Sequence, residues 1–585
     1  MKVLYILEMR DPSSGFFQVT MNVDSVSEDI SMVTMPAWTP GSYSIRDYAR
    51  NVRMLKVKTP EGESVETSKK DKSTWKIFNG NAKSFIITYE VYAGELNVRG
   101  CHLDTTHAYL NGTNIFMYLE GYKDQSVELI VKPWENWKIS TGMEKIGENK
   151  FRATNYDIFV DCPMEIGAHR VLQFIVDGKE HEIALYGRGN ENQDKLVNDI
   201  RKIVETAKGI FGSLPYKRYV FIIHLLENGS GGLEHLNSTT IGVPMFTFGK
   251  REDYNHFLSI VSHEYFHLWN VKRIRPVELG PFNYKEEVYT PSLWVSEGVT
   301  NYFAMVILLR AGLITSEEYY EHLASALRIY DMTPGKNFES AADSSLDAWI
   351  KLYRPSPNNI NSYVSYYLKG EILGFMLSLR ISEYTKGTKN LDEAIKHMYE
   401  KYNKDGKGFI EKDLLAVLSD VSGLDFQPFF SRYVHSTDNI DFTSELKKIG
   451  LNLTRTYSDK EVDREKGYGF MGVILDSDGK RVAQVIEDYP AQRSGIFPDD
   501  EIVAIDNFKM NSRFLSPLSK RGKSELLDSL KDYSPGERIK VTLFRRGIMT
   551  TIELALAKAP FDKYEIIEDR EDAQLEKVRT KMLLG

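Results

Sequence analysis

Residues 262–270 read Ser-His-Glu-Tyr-Phe-His-Leu-Trp-Asn and contain a His-Glu-x-x-His pattern at His263, Glu264 and His267. On a helix, positions four apart lie one above the other on the same face, so both imidazoles can reach one metal ion. Glu264 then points beside the metal, where a general base for an activated water belongs. With 12 histidines in 585 residues, chance alone supplies the pattern about once in fifty chains. Two ordinary helix histidines are the competing reading, and it takes further donors to displace it. Zinc in a hydrolase usually has three protein ligands and one open position for water. The best third candidate is Glu297 in Leu293-Trp-Val-Ser-Glu-Gly-Val-Thr-Asn-Tyr-Phe303, thirty positions after His267. A carboxylate in an apolar helix needs a partner, because burying it bare is costly. The alternative for Glu297 is a helix-start residue complementing the dipole. Asn301, one turn further, could orient that ligand or equally pack between helices. The loop Glu227-Asn-Gly-Ser-Gly-Gly232, with Gly231 and Gly232 at its end, lets backbone approach a ligand closely.

These groups need elements to hold them. Residues 1–175 are β-rich: 84–92 and 126–132 are β-branched and aromatic, with turn residues between such runs. The absence of long helical patterns there predicts an antiparallel sandwich or saddle-like sheet. His102, Asp104 and His107 lie in one patch of this region. Their spacing suits neither a helix face nor one strand face, so structural hydrogen bonding is expected rather than a second metal. From about residue 190 the pattern changes. Gln193 to Phe211 has helix spacing, with Leu196, Ile200, Ile203 and Val204 on one side. Tyr219 to Leu226 is apolar on both faces, as an inner strand should be. Helices dominate from Tyr254 to about Ser436. The stretch 403–414 imitates a calcium loop, but Lys407 and Leu414 stand where oxygen ligands are required, so calcium is rejected. From about 460 a small β region begins, and 561–585 are charged, a peripheral helix or frayed tail.

Composition narrows the partners. A 585-residue chain with 42% hydrophobic and 27% charged residues suits a soluble multidomain globular protein. The net charge of −8 is spread along the chain, with no basic stripe for nucleic acid or an anionic membrane. The N-terminus lacks the apolar core of a signal peptide, and Tyr302 to Ile314 is too short to span a bilayer. Cys101 and Cys162 fit a reducing compartment as two buried thiols, which points to the cytoplasm.

His-Glu-x-x-His followed by Glu in Trp294-Val-Ser-Glu-Gly298 resembles the gluzincin metallopeptidases, and nearly the whole chain is similar to their glycyl aminopeptidase family. Matching patches are Trp38-Thr-Pro-Gly-Ser-Tyr43, Asp104-Thr-Thr-His-Ala-Tyr109, residues 227–239 and His263-Glu-Tyr-Phe-His-Leu-Trp-Asn270. The resemblance implies a multidomain α+β chain: an N-terminal β-rich domain over 1–175, a thermolysin-like catalytic domain over 176–458, a PDZ domain over 459–560 and a charged tail over 561–585. It implies one zinc per chain, peptide substrates with a free N-terminus, and a preference for small residues such as glycine. It also implies two further roles. Glu234, in Gly231-Gly-Leu-Glu-His235, would hold the substrate's α-amine, although His235 and Leu233 stand where the larger zinc aminopeptidases carry Asn and Met. Tyr367 would donate to the oxyanion, with Tyr366 and Tyr363 as rivals. Two other readings stay open: an endopeptidase of the same fold, and a peptide-binding scaffold using the PDZ domain with a structural metal. An intact Glu264 argues against the scaffold. All proposed catalytic groups precede Gly467, so a chain cut near Arg455 is expected to keep the chemistry.

Overall fold

The computed structural model describes residues 2–403, 406–477, 479–509, 530–569 and 571–585. Lys404 and Asp405 of the calcium-like stretch, and 510–529 of the expected PDZ region, lie outside the described residues. The chain is a mixed α+β protein that divides into two compact units. One comprises Met1–Thr290, Phe303–Ile314 and Asp392–Val417; the other comprises Pro291–Tyr302, Thr315–Leu391 and Leu418–Gly585.

The first unit opens with a seven-stranded sheet and two four-stranded sheets. Phe16–Asp24 alternates buried and half-buried residues along its length, the period-2 pattern of a strand with one face on a core. The expectation of a purely antiparallel arrangement needs one correction. Lys2–Glu8 pairs antiparallel with Phe16–Asp24 but parallel with Val127–Lys132. A parallel partner more than a hundred residues away leaves no turn signal in the sequence.

A five-stranded sheet follows in the same unit. Its order is Arg170–Val176, Lys179–Tyr186, β1 (Arg218–Leu226), β3 (Ser238–Pro244) and, at the edge, β2 (Gly232–Glu234). β1 runs parallel to both neighbours and is buried over its middle seven residues, as its two apolar faces predict. β2 runs antiparallel to β3, with Gly232 opposite Ile241 and Glu234 opposite Thr239. Helix α1 (Gln193–Phe211) starts where Asn192 caps it and ends at Gly212 in the left-handed region. Helix α2 (Arg251–Phe266) carries Glu252 and Asp253 in its first turn and buries Tyr254, Phe257, Leu258, Val261 and Tyr265. Each such large apolar side chain removed from water contributes about 1.5–3 kcal/mol. Cys101 and Cys162 are free and buried.

The second unit is helical around α3 (Tyr366–Tyr384) and then β-rich. Glu501–Ile505, Arg538–Arg545 and Ile548–Ala555 form its largest sheet together with Phe508–Lys509. The C-terminal residues hold more than the expected helix or frayed tail. Lys563–Glu568 is a strand paired antiparallel with Leu451–Thr456, and Ala573–Leu584 is a helix that buries Val578, Arg579, Met582 and Leu583. Arg579 donates to Ile449 O and Gly450 O at 3.1 Å each. The strand escapes a sequence reading because Lys-Tyr-Glu-Ile-Ile-Glu mixes charge with apolar residues and has one partner strand only. A cut near Arg455 would split this pair. Among the described residues no helix is long and apolar enough to cross a membrane.

Candidate active site

In the first unit, α2 buries Glu264 together with Val261, Ser262 and Tyr265, while His263 at the neighbouring position stays half-buried. His267 ends the helix. Its Nδ1 lies 2.7 Å from Asn270 O. A carbonyl can only accept, so Nδ1 carries the proton and Nε2 keeps its lone pair, the tautomer a metal ligand needs. His267 Nε2 and His263 Nε2 stand 2.8 Å apart. Two imidazoles thus aim their outer nitrogens at one point. His263 is half-buried, whereas Glu264 and His267 are buried.

The edge strand brings more. Ligand atoms of Glu234, Glu264 and His267 all lie within 4.8 Å of one another. Gly232 passes so close to Glu264 that a Cβ there would overlap the Glu264 side chain. Gly231, at φ +82, has open space around its missing side chain. The hairpin is tied to α2 from behind: Arg273 donates from Nη1 to Leu236 O at 3.2 Å and Leu268 O at 2.7 Å, and from Nη2 to Pro215 O at 3.0 Å.

His235 belongs to a group that the sequence reading missed. Its Nδ1 is 3.1 Å from Asp161 Oδ1, to which Lys272 Nζ also donates at 2.8 Å, while Leu236 N–H donates to Asp161 Oδ2 at 2.8 Å. Burial alone would raise the Asp161 carboxyl, but Lys272 and His235 hold it below the usual range. Burial likewise opposes the charge on Lys272, which Asp161 and then Glu234 keep above its ordinary value. So His235 faces a carboxylate from the N-terminal region, 74 positions earlier, and no local motif signals it.

In the second unit, Glu297 is 2% exposed and sits in Trp294–Val299, a π-helical turn rather than a regular helix. Such turns carry one extra residue and often mark functional sites. Gly298 and Gly370 pack backbone to backbone, so a Cβ on either would overlap the other helix. That crossing sets the first turn of α3 beside the Glu297 turn. There Tyr366 is fully buried and Tyr363 nearly so, while Tyr367 is half-buried and stacks on Tyr366 with centroids 4.8 Å apart. Asn301 is half-buried at the start of the following helix. His102 pairs with Asp104 at 3.1 Å and His107 with Glu165 at 2.8 Å.

A His-Glu-x-x-His helix beside an edge strand with its own glutamate has the groups to hold a metal and to act as a base in hydrolysis. Residues 4–168 match the peptidase M61 N-terminal domain and 256–373 match the M61 glycyl aminopeptidase model. The crystal structure of an aminopeptidase N family protein from Idiomarina loihiensis is 27% identical, covering 99% of this chain and 100% of that one with a TM-score of 0.90. Aminopeptidase A of Legionella pneumophila is 12% identical over 74% of this chain and 49% of that one, at a TM-score of 0.47. An M1 zinc metallopeptidase from Deinococcus radiodurans is 10% identical over 75% and 94%, at 0.46. No curated protein matches. The chain is a peptidase, and its N-terminal and central stretches carry the peptidase M61 models.

Proposed function

We propose that the chain is a zinc-dependent aminopeptidase that removes small N-terminal residues, glycine foremost, from peptides with a free N-terminus. His263, His267 and Glu297 would hold one zinc ion per chain, with Asn301 orienting Glu297. The donor set fits, since two imidazoles and a carboxylate leave a fourth position for water. Bound there, zinc supplies Lewis acidity, lowering the pKa of water and polarising the scissile carbonyl. Glu264 takes the proton from the attacking water and passes it to the leaving amine. Tyr367, the most accessible of the three candidate tyrosines, donates to the developing oxyanion, a contribution of about 3–4 kcal/mol for one such donor. Gly231 and Gly232 lie along the substrate's main chain.

One observation carries the aminopeptidase reading over the endopeptidase one: the grouping of Glu234 with Glu264 and His267 within 4.8 Å. In an N-terminal residue the amine nitrogen and scissile carbonyl carbon are separated by a single Cα, about 2.5 Å. A carboxylate that anchors the ammonium must therefore lie next to the base, as Glu234 does. The glycine preference rests on the family alone. The β-rich region over 459–560 is read as a PDZ domain able to take a peptide ligand, supported by its small sheet and the short helix Pro490–Arg493. Two buried free thiols support a cytoplasmic setting.

Metal content measured with turnover on free and N-acetylated peptides tests the proposal. The expected result is one zinc per chain and cleavage confined to free amines. Equal cleavage of both would leave the endopeptidase reading in its place, and turnover without metal would remove the zinc.

A further inference from the structure

The N-terminal region sends one tight turn to Glu234. In Thr39-Pro-Gly-Ser42, Ser42 N–H donates to Thr39 O at 3.1 Å and Gly41 takes φ +85. Proline followed by a left-handed glycine is the signature of a type II turn. The turn is clamped on both sides. Trp38 Nε1 donates to Asn283 O at 2.9 Å, Ala37 N–H to Tyr284 O at 2.7 Å, and Thr39 Oγ1 to Asn111 Oδ1 at 3.3 Å. Trp38, Thr39, Ser42 and Tyr43 are all buried. A Cβ on Gly41 would lie 2.5 Å from each carboxylate oxygen of Glu234 and 2.7 Å from Leu233 Cδ1. The Gly41 backbone therefore packs face-on against that carboxylate.

We propose that Gly41 is a positioning residue of the amine subsite: the N-terminal region's turn is the wall that holds Glu234 where it meets the substrate's α-ammonium. The inference rests on the reading of Glu234 as the ammonium anchor. Any side chain at position 41 must displace something. The turn is clamped, and of the two side chains that such a Cβ meets on the paired strand, Glu234 is met at both carboxylate oxygens, 2.5 Å away, so it must change rotamer. The carboxylate moves, and recognition of the free amine is lost. Glu264 and α2 are untouched, so the loss falls on KM rather than on kcat.

The test uses the full-length enzyme loaded with zinc and an N-terminal glycine anilide, free or N-acetylated. Gly41→Ala should raise KM for the free amine about tenfold or more, keep kcat within about threefold, and leave metal content unchanged. Gly62→Ala is the control. Gly62 also has a left-handed φ, +96, but nothing lies within 4 Å of its missing Cβ, so it shares the backbone strain without the contact. It should leave KM unchanged. If Gly41→Ala fails to fold, Gly41→Asn carries the same test, since Asn tolerates that backbone better. In a Glu234→Ala background, Gly41→Ala should add no further loss. Unchanged KM, or a further loss in that background, overturns the proposal. Failure of the parent reading looks different: the unmodified enzyme would then cleave free and acetylated substrates alike.

Discussion

The first unit holds two clusters made of the same residue types, and they are built to opposite ends. Around α2, His263 and His267 bring Nε2 atoms within 2.8 Å of each other with Glu264 alongside, and His263 remains half-buried. Where Cys101–Leu110 meets the five-stranded sheet, His107 Nδ1 and His224 Nε2 each donate to one oxygen of Glu165, at 2.8 and 2.9 Å. All three side chains there are fully buried. In the second cluster the carboxylate lies between the rings and takes one nitrogen from each. In the first, the two Nε2 atoms face each other, with Glu264 alongside. Arrangement, not residue type, separates a site that reacts from a seam that holds.

The comparison breaks first at the bases. Glu264→Gln should keep the metal and the melting temperature while lowering kcat by about four orders of magnitude, as loss of a catalytic base does. His267→Ala should lose the metal as well. Near-parental turnover by Glu264→Gln would remove the general base from the mechanism. Glu234→Ala comes next. An ammonium left without its buried carboxylate costs about 2–4 kcal/mol, some 30- to 1,000-fold in kcat/KM on free-amine substrates. Acetylated substrates should hardly notice, because they lack the cation.

Glu165→Gln should behave in reverse. It removes the acceptor shared by two buried imidazoles, and breaking a buried pair costs about 3 kcal/mol or more of stability. Metal content and KM should stay near those of the parent at temperatures where the variant is folded. A variant that melts like the parent would show that Glu165 contributes no more than a neutral amide could. Loss of zinc from the folded variant would show that the seam is coupled to the site.

How legible each cluster was follows from its geometry. His263, Glu264 and His267 lie within one helical turn, so spacing alone revealed them. Helix α1 is visible from Leu196, Ile200, Ile203 and Val204, and β1 from a run that is apolar on both faces apart from His224. Glu165 carries no local signal, because its partners are 58 and 59 positions away on two other strands. Asp161 and Lys272, 111 positions apart, were invisible for the same reason. The π-helical turn at Glu297 has no composition signal, since an inserted residue changes the hydrogen-bond ladder rather than the residue types. Tyr367 and Glu234 came from family likeness, not from spacing. What a sequence hides is pairing across long separations.

The smallest effect concerns acid, and it sharpens the contrast most directly. Burial would raise the Glu165 carboxyl, but hydrogen bonds and charge from His107 and His224 outweigh it and hold it at about 2, against an ordinary 4.5. Burial also pushes His107 below its ordinary 6.5, against the pull of Glu165. For the carboxylate, a lowered folded value means the stability it contributes is complete above pH 4.5 and is lost as pH falls toward 2. For His107 the folded state resists the proton that the unfolded chain accepts below 6.5, so acid again favours unfolding. Both groups therefore act in one direction, each with a slope of up to about 1.4 kcal/mol per pH unit within its window. Between pH 4.5 and 3 the Glu165 contribution should dominate the difference between the parent and Glu165→Gln. The parent's melting temperature should fall more steeply there, since the amide cannot titrate and the remaining carboxylates are common to both proteins. Parallel curves across that window would mean that Glu165 is no more strongly ionised folded than unfolded, and the seam would then be held by packing around its rings.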